Sequence, residues 1–400
     1  MLKKISFTIL ILLIAVFMLL FFVKKNSENT FTFWTIQLKP IATNFVEKNI
    51  KEFKKLHPEV KIVWVDIPIA EAQKRTLASV LGGNTPDLIN LNPDFSSLLA
   101  QRDVLEYFDE DETEQFEPSL IENLTYDNKV FALPFYATSS VTLINTNCIK
   151  DYKDLKTYDD IMKLKDVKCK SYFCLNLNEN DTFARILNKY GIYDFENEKS
   201  KIKAEKLFSY FKEMYDKKII PSDALTMNHR EVVERYMTGN IGSVVVGGNF
   251  VKMVKDNAVN VYKTSVVSNQ LTGDERTYDI ALMNFVIPKK AKNKEIAKEF
   301  LMLLTNKENQ IEFSKLTNVL PGNKYALQDD FFKCDKNSDL IAQSRCLGKI
   351  QLQSSSKRDF GYQNKKEIND MINHSLEVYI LENNPKILDK MEGEINNLQK

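Results

Sequence analysis

Strand and helix patterns alternate along the first part of the chain, and this alternation most constrains the fold. Apolar runs typical of strands and apolar residues at helical spacing follow one another at 30–36, 45–56, 60–65, 70–81, 88–91 and 95–100. Such alternation predicts a parallel sheet with helices on its faces. In these sheets ligands bind beyond the carboxyl ends of the strands, which here are residues 35–39 and 92–94.

The stretch 126–147, YDNKVFALPFYATSSVTLINTN, contains two apolar runs separated by a polar bridge at 136–140. Pro134 has no N–H to donate to a sheet, so we expect the first strand to end there. The bridge contains no glycine and no Asn-Gly pair, which are the usual marks of a tight hairpin. Two interpretations remain open: an atypical hairpin, or a hinge at which the chain passes from one sheet into another.

Similar patterns continue after the bridge and predict a second α/β unit. Strand patterns lie at 172–177, 241–246, 260–267 and 280–288, and helical patterns lie near 158–164 and at 182–190, 202–217, 232–237, 293–305, 309–316, 367–381 and 386–398. A chain of 400 residues exceeds one typical hydrophobic core. Two domains are therefore expected.

The N-terminus carries an apolar run at 5–23 between two lysine pairs, Lys3-Lys4 and Lys24-Lys25. This pattern indicates export. The run is nearly long enough to span a bilayer, and neither a small-x-small cleavage pattern nor a cysteine for lipidation follows it. A cleaved signal peptide and an uncleaved anchor (residues 1–25 in either case) are both open, and the rest of the chain lies outside the cytoplasm.

Five cysteines in an exported chain permit disulfides. The simplest connectivity joins neighbours along the chain, Cys169 with Cys174 and Cys334 with Cys346, and leaves Cys148 unpaired. No C-x-x-C spacing is present, so the cysteines do not indicate a redox or zinc site.

Composition and motifs argue against catalysis, metal binding and nucleic-acid binding. The net charge is +1 and the chain has three histidines. No hydrolase, metalloprotease or phosphate-loop motif is present, and the acidic run at 106–117 is interpreted as a solvated loop. We therefore expect no catalytic residue, no metal, no cofactor and no nucleic-acid partner.

Aromatic residues fall at the ends of predicted strands beside polar residues. The aromatics are Trp34, Tyr136 and Phe250, and their polar neighbours are Gln37, Asp94, Thr138 and Asn249. Each aromatic alone fits core packing. As a set, ring faces beside amides, hydroxyls and carboxylates suit a polyhydroxylated ligand.

The order of several motifs resembles the substrate-binding proteins of bacterial ABC importers, in the sugar-binding branch that includes maltodextrin-binding proteins. The motifs are FTFW, FKKLHPEVKIVWV, GGNTPDLINLNPD, YDNKVFALPF, VTLINTN, NFVIPKKAKNKEIAKEFLMLLTNKENQ and LPG. The chain departs from the family at Asn128, where a glycine is usual, and at Phe250, where a tryptophan is common.

The resemblance implies an α/β, two-lobed periplasmic-binding-protein fold (Venus flytrap), in which each lobe is a mostly parallel sheet flanked by helices and hinge crossovers join the lobes. Lobe 1 is expected to comprise residues 30–136 plus 268–318, and lobe 2 residues 137–267 plus 319–400. Ligand contacts are implied by position at Trp34, Gln37, Lys39, Asn92, Asp94, Tyr136, Thr138, Ser139, Glu179, Asp181, Asn249 and Phe250.

The expected function is that of a non-enzymatic, monomeric receptor that captures a small carbohydrate and delivers it to an ABC permease in the inner membrane. It would lie in the periplasm or on the extracytoplasmic face of the membrane, anchored there if residues 5–23 are kept. Three alternatives remain: a receptor for glycerol 3-phosphate or another polar solute, with Lys39 or Arg276 as the cationic contact; a membrane-anchored sensory or scaffold module; and an enzyme, which would need Asp94 with Glu179.

Overall fold

The structure is a computed structural model that describes residues 30–177, 181–335, 338–355 and 364–399. The apolar run at 5–23 lies outside the described residues. Whether it is a signal peptide or an anchor therefore stays a prediction. Among the helices that are described, none is both long enough and apolar enough to cross a bilayer.

The strands of the described chain form one extended sheet and a small separate hairpin. In chain order they are β1 (Thr30–Ile36), β2 (Lys61–Ile67), β3 (Leu88–Leu91), β4 (Thr125–Tyr126), β5 (Lys129–Val130), β6 (Leu133–Asn145), β7 (Ser171–Cys174), β8 (Ile241–Gly247), β9 (Ser265–Asn269), β10 (Ile280–Val286) and β11 (Leu320–Pro321). The sheet runs β2-β1-β3-β10-β6-β8-β7, with β9 and β11 also paired to β6, whereas β4 and β5 form the hairpin.

Helices follow most of the strands. In chain order they are α1 (Lys39–Leu56), α2 (Ile69–Gly82), α3 (Pro93–Gln101), α4 (Glu110–Thr113), α5 (Pro118–Asn123), α6 (Thr182–Lys189), α7 (Glu198–Asp216), α8 (His229–Met237), α9 (Val251–Asn257), α10 (Val259–Lys263), α11 (Lys294–Leu304), α12 (Lys307–Thr317), α13 (Leu340–Gln353), α14 (Lys365–Leu381) and α15 (Ile387–Gln399). Local sequence fixes several of their ends. Asn92 caps α3 and Asn197 caps α7, and Gly83 (φ 101°) ends α2 in the left-handed conformation that glycine adopts without strain.

The stretch around Pro134 forms one continuous strand, β6, which belongs to both halves of the sheet. Residues 133–139 pair with β10, and residues 140–145 pair with β8 and β9. The prediction that Pro134 ends a strand was wrong, because the proline is near the start of β6, where a bulge at Met283/Asn284 interrupts the ladder opposite it. The hairpin interpretation was also wrong, and the chain passes from one half of the sheet into the other within a single strand.

Lobe 1 is the part of the molecule built on β1, β2, β3 and β10, and its sheet is covered on both faces. The alternation of side chains along β1 sends Phe31 and Phe33 to a core formed with α1, α11 and α12. Trp34 points to the opposite face and joins a second core with α2 and α3. This burial on both faces is typical of a mostly parallel sheet.

Lobe 2 is the part built on β7, β8 and β9, and a single large core fills it. Helices α6, α7 and α8 contribute to this core together with the C-terminal helices α14 and α15. The segment 319–332, by contrast, contributes Val319, Leu320, Leu327 and Phe332 to the two cores of lobe 1. Helix α13 packs on the crossing region, against both β6 and β9. The lobe boundaries given by residue number stay a prediction.

Two predicted elements differ from the structure. Residues 260–267 were expected to form a strand, but their first part is helical (α10) and β9 begins only at Ser265. Residues 158–164 were expected to form an α-helix and instead form a short 3-10 helix, Tyr158–Lys163. In both places apolar spacing over a few residues did not distinguish the alternatives.

The disulfides are Cys148–Cys169 and Cys334–Cys346. The second pair was predicted, whereas the predicted pair Cys169–Cys174 was wrong. Cys174 lies in β7 with its thiol buried in the core of lobe 2. Cys169 precedes β7 and lies beside the carbonyl of Gly239, as Cys148 does, with 5.2 Å between the Cα atoms of the two bonded cysteines.

Candidate functional site

The parallel strands of both lobes end at the crossing region of β6. In lobe 1, β3 runs antiparallel to β10, whose first residue, Ile280, pairs with Ser139. In lobe 2, β8 ends at Gly247, which pairs with Ser140. The carboxyl ends of the parallel strands therefore face each other across the crossing. The cleft between the lobes at this place is the candidate site.

The lobe 1 wall of the cleft carries Asn92 and Asp94, which follow β3. The exposed Asn92 accepts a hydrogen bond from the backbone N–H of Phe95 at 2.9 Å and so caps α3. One carboxylate oxygen of Asp94 lies 2.9 Å from Nζ of Lys365, the first residue of α14 in lobe 2. This ion pair joins the two lobes.

The lobe 2 wall carries a second ion pair, between Asp181 and Arg185. Nε of Arg185 donates to Asp181 at 2.7 Å, one turn along α6. Burial works to raise the pKa of Asp181, but the charges of Arg185 and Lys365 together with hydrogen bonds to the carboxylate hold the pKa below its ordinary value. Asp181, with smaller contributions from Asp279 and Asp94, raises the pKa of Arg185 against the opposing effect of burial. The two pairs therefore lie within electrostatic reach of each other.

A third ion pair lies where the chain returns from lobe 2 to lobe 1. Nζ of Lys189, which is almost fully buried, lies 2.8 Å from Asp279 and donates to Oε1 of Gln270 at 3.0 Å. Gln270 also bonds the backbone of Asp279 in both directions. We call the six charged residues of the three pairs the charged cluster. Its members are Asp94, Lys365, Asp181, Arg185, Asp279 and Lys189.

The bridge residues Thr138 and Ser139 line a small crevice beside the crossing. Lobe 2 contributes Gly248 and the exposed Asn249 to this crevice, and α13 contributes Ser344. The hydroxyl of Ser344 donates to the carbonyl oxygen of Gly248 at 3.4 Å, so α13 contacts lobe 2 here. The structure therefore brings together Thr138, Ser139 and Asn249.

The three predicted aromatic contacts differ in exposure. Trp34 is only 9% exposed and belongs to the core of lobe 1, and its indole N–H has no hydrogen-bond partner within the described part of the chain. Tyr136 is half-buried against Phe313, and burial raises the pKa of its hydroxyl to about 12. Phe250 is half-buried at the end of β8, where its ring meets His229 edge-to-face at 4.8 Å.

Gln37 and Lys39 follow β1, toward the edge strand of lobe 1. Gln37 is exposed, has a positive φ of 46° and donates its backbone N–H to Ile67. Nζ of Lys39 lies 4.9 Å from the centre of the Trp64 ring on β2. Within the described residues no hydrogen bond or ion pair joins Gln37 or Lys39 to the charged cluster. The predicted contact Glu179 lies outside the described residues.

Four members of the charged cluster were not predicted from the sequence: Lys365, Arg185, Asp279 and Lys189. Arg185 had a usable signal, because an acidic residue and a basic residue four positions apart on a helix lie on the same face. Lys365 had none, since it follows Asp94 by 271 residues and only the tertiary fold joins them.

The chain is similar to known proteins both in sequence and in fold. The model of the family described as bacterial extracellular solute-binding protein matches residues 48–339. The arabinooligosaccharide-binding protein of Bacillus subtilis (strain 168) is 24% identical over 314 residues, which are 71% of this chain and 71% of that protein.

Solved structures show the same architecture. A protein of Synechococcus sp. MITs9220, described as an oligosaccharide periplasmic-binding protein, matches with a TM-score of 0.78 at 21% identity, over 92% of this chain and 98% of that chain. The GacH receptor of Streptomyces glaucescens GLA.O matches with a TM-score of 0.73 at 15% identity, over 92% and 98% of the respective chains. The predicted two-lobed fold of periplasmic binding proteins is therefore confirmed.

Proposed function

We propose that this chain, which belongs to the family of bacterial extracellular solute-binding proteins, captures a small carbohydrate in the cleft and delivers it to an ABC importer. The observation that carries the proposal is the charged cluster, in which Asp94 of lobe 1 meets Lys365 of lobe 2 at 2.9 Å. Carboxylates accept and cationic groups donate hydrogen bonds, and a sugar hydroxyl can do both. The cleft thus offers partners for a polyhydroxylated ligand from both lobes.

The named relatives support a carbohydrate as the ligand. The Bacillus subtilis relative is named for arabinooligosaccharides, and the Streptomyces receptor was solved in complex with acarbose. Phe250 adds a half-buried ring at the end of β8, where an apolar face of a sugar could stack. An oligosaccharide is therefore the ligand class to test first.

Closure of the lobes would couple binding to delivery. A ligand that contacts both walls favours the conformation in which the walls are close, and this shifts the population toward the closed form. The Asp94–Lys365 pair can form only when the lobes are close, so it adds to the stability of that form. The importer would then distinguish the loaded protein by its shape.

Family membership gives the chain an extracytoplasmic location. We further propose that it acts as a monomer without enzymatic activity, in the periplasm or held at the membrane face by residues 5–23. Sequencing the N-terminus of the exported protein tests the anchor. A mature start near residue 26 would remove the anchor and would weaken the hypothesis of a membrane-anchored sensory module.

Glycerol 3-phosphate is less well supported as a ligand. Its phosphate would need a cationic contact, but Lys39 lies over Trp64 at the edge of lobe 1, and Arg276 is exposed on the returning segment. The lysines and the arginine of the charged cluster each have an acidic partner.

A thermal-shift panel of arabinotriose, maltotriose, glycerol 3-phosphate and simple polyols tests the proposal. We expect an oligosaccharide to raise the melting temperature, because a ligand that binds only the folded form stabilises it. Small-angle scattering with the same sugar should show a smaller radius of gyration. Stabilisation by glycerol 3-phosphate but by neither oligosaccharide would refute the carbohydrate hypothesis.

A further inference from the structure

The charges within the charged cluster balance one another. Asp94 pairs with Lys365 across the lobes, Asp181 with Arg185 within lobe 2, and Asp279 with Lys189 at the crossing. The charged cluster therefore contains three carboxylates and three cations, and its net charge is zero. Such a cluster offers hydrogen-bond donors and acceptors without a net field that would attract an ion.

The pair that spans the lobes is also the one most open to a ligand on its acidic side. The side chain of Asp94 is 48% exposed, whereas that of Lys365 is 16% exposed. Arg185, whose side chain is 35% exposed, uses its Nε for Asp181, and no described residue accepts a hydrogen bond from its terminal nitrogens. A solute that enters the cleft therefore meets a carboxylate on the lobe 1 wall and a guanidinium on the lobe 2 wall.

We propose that Asp94 and Lys365 set the charge selectivity of the cleft, so that it accepts a neutral carbohydrate and discriminates against the corresponding carbohydrate acid. This inference rests on the proposed function. A neutral hydroxyl can donate to Asp94 and accept from a cation of the cluster in the same pose. A ligand carboxylate can only accept, loses its hydration on entry and finds no net positive charge in the charged cluster to compensate for that loss.

Single charge changes should move this selectivity in opposite directions. Asp94→Asn keeps the size of the side chain and leaves the cluster one positive charge richer, which favours an acidic ligand. Lys365→Met leaves the cluster one negative charge richer and disfavours an acidic ligand further. Both variants also lose the contact between the lobes, and that loss weakens neutral and acidic ligands alike. The ratio of the two affinities therefore isolates the effect of charge.

The matched control is Asp103→Asn. Asp103 follows α3 at the end opposite Asp94 and also pairs with a lysine, Lys289, but its side chain is 70% exposed on the surface. This control makes the same chemical change and loses the same kind of ion pair away from the cluster.

The experiment uses calorimetry with arabinotriose and maltotriose and with the aldonic acids made by oxidising the reducing end of each. We expect wild type and Asp103→Asn to bind the neutral sugar more tightly than its acid. Asp94→Asn should shift the affinity ratio toward the acid by about 10-fold, and Lys365→Met should shift it the other way, since one unit charge at this range has an effect of that order. Both shifts should shrink at high ionic strength.

Two results would overturn the inference. If wild type binds a sugar and its acid equally and Asp94→Asn leaves the ratio unchanged, the charge-selectivity inference is wrong while the carbohydrate receptor stands. If neither the neutral sugars nor their acids bind, the proposed function fails and this inference fails with it.

Discussion

Trp34 and Phe250 show how the position of an aromatic residue relative to the end of a strand determines how deeply it is buried. Trp34 lies within β1, where the alternation of side chains directs it into the core between the sheet and α2. Phe250 lies in a short 3-10 helix just beyond the end of β8, where it is only partly buried against the core of lobe 2. We therefore expect substitutions of Trp34 to change stability first and substitutions of Phe250 to change binding first.

The loss of stability on substituting Trp34 should depend on the size of the new side chain. Trp34→Ala is expected to lower the free energy of unfolding by about 3 kcal/mol, since it removes a large ring from a packed core. Trp34→Phe should cost less than about 1.5 kcal/mol, because the indole N–H that it removes has no partner among the described residues. Urea unfolding measures both values. A Trp34→Ala variant with unchanged stability and abolished sugar binding would instead make Trp34 a ligand contact.

Tyr136 should contribute to loss of stability at alkaline pH. Burial raises its pKa from about 10 to about 12, so the unfolded chain ionises first and the contribution of this group is lost as pH rises from 10 toward 12. These two pKa values give a loss on the order of 1 kcal/mol at pH 11. Tyr136→Phe should therefore lose about that much less stability than wild type between pH 8 and pH 11. Parallel loss in both proteins, measured by urea unfolding, would contradict this assignment.

Among the elements, β6 and α13 are joined at the crossing by the side chain of Gln351. Its amide nitrogen donates to the hydroxyl of Ser139 and to the carbonyl of Ser140, both at 3.0 Å. Its amide oxygen accepts the backbone N–H of Gln270 at 3.0 Å. One buried side chain therefore ties together β6, α13 and the segment that returns to lobe 1.

Removal of this amide should be costly for the whole fold. Gln351→Ala is expected to lower the free energy of unfolding by about 2 kcal/mol, because it breaks these bonds and leaves the buried N–H of Gln270 without its partner. Gln353, two residues later in the same helix, is exposed, and Gln353→Ala should stay within about 0.5 kcal/mol of wild type. Equal unfolding midpoints for the two variants in urea would show that the crossing is not held by Gln351.

The elements were largely predictable from the sequence, and the exceptions have local causes. Alternating strand and helix patterns predicted the parallel sheet of lobe 1, because periodicity reports directly on which face is buried. Pro134 was misjudged because a proline is tolerated beside a bulge, and the bulge depends on β10, which lies almost 150 residues later. Cys174 was wrongly paired because chain distance alone carries no information about which side of β7 faces the core.

The site was less predictable than the fold. Asp94 was predicted from its place after a strand end and Asp181 from the family resemblance, and both lie in the charged cluster. The role of Lys365 depends on how α14 docks at the cleft, and no pattern around residue 365 reports on that. Long-range ion pairs of this kind arise from tertiary structure, and a single sequence does not encode them in any local signal.

At the scale of the molecule, neither disulfide holds the two walls of the cleft together. Cys148–Cys169 lies in lobe 2, and Cys334–Cys346 ties α13 to the segment that follows β11. Neither bond joins the walls that carry Asp94 and Lys365. Lobe movement can therefore proceed in the fully oxidised protein, as capture and release of a ligand outside the cytoplasm would require.

The continuous strand β6 also has a consequence for how the protein unfolds. Without it, β10 and β11 of lobe 1 lose a neighbour, and so do β8 and β9 of lobe 2. Neither lobe can complete its sheet while the other is unfolded, so we expect a single cooperative transition in scanning calorimetry, with van't Hoff and calorimetric enthalpies in agreement. Two separate transitions would show that each lobe folds alone. A single transition would mean that a destabilising substitution in either lobe lowers the melting temperature of the whole molecule.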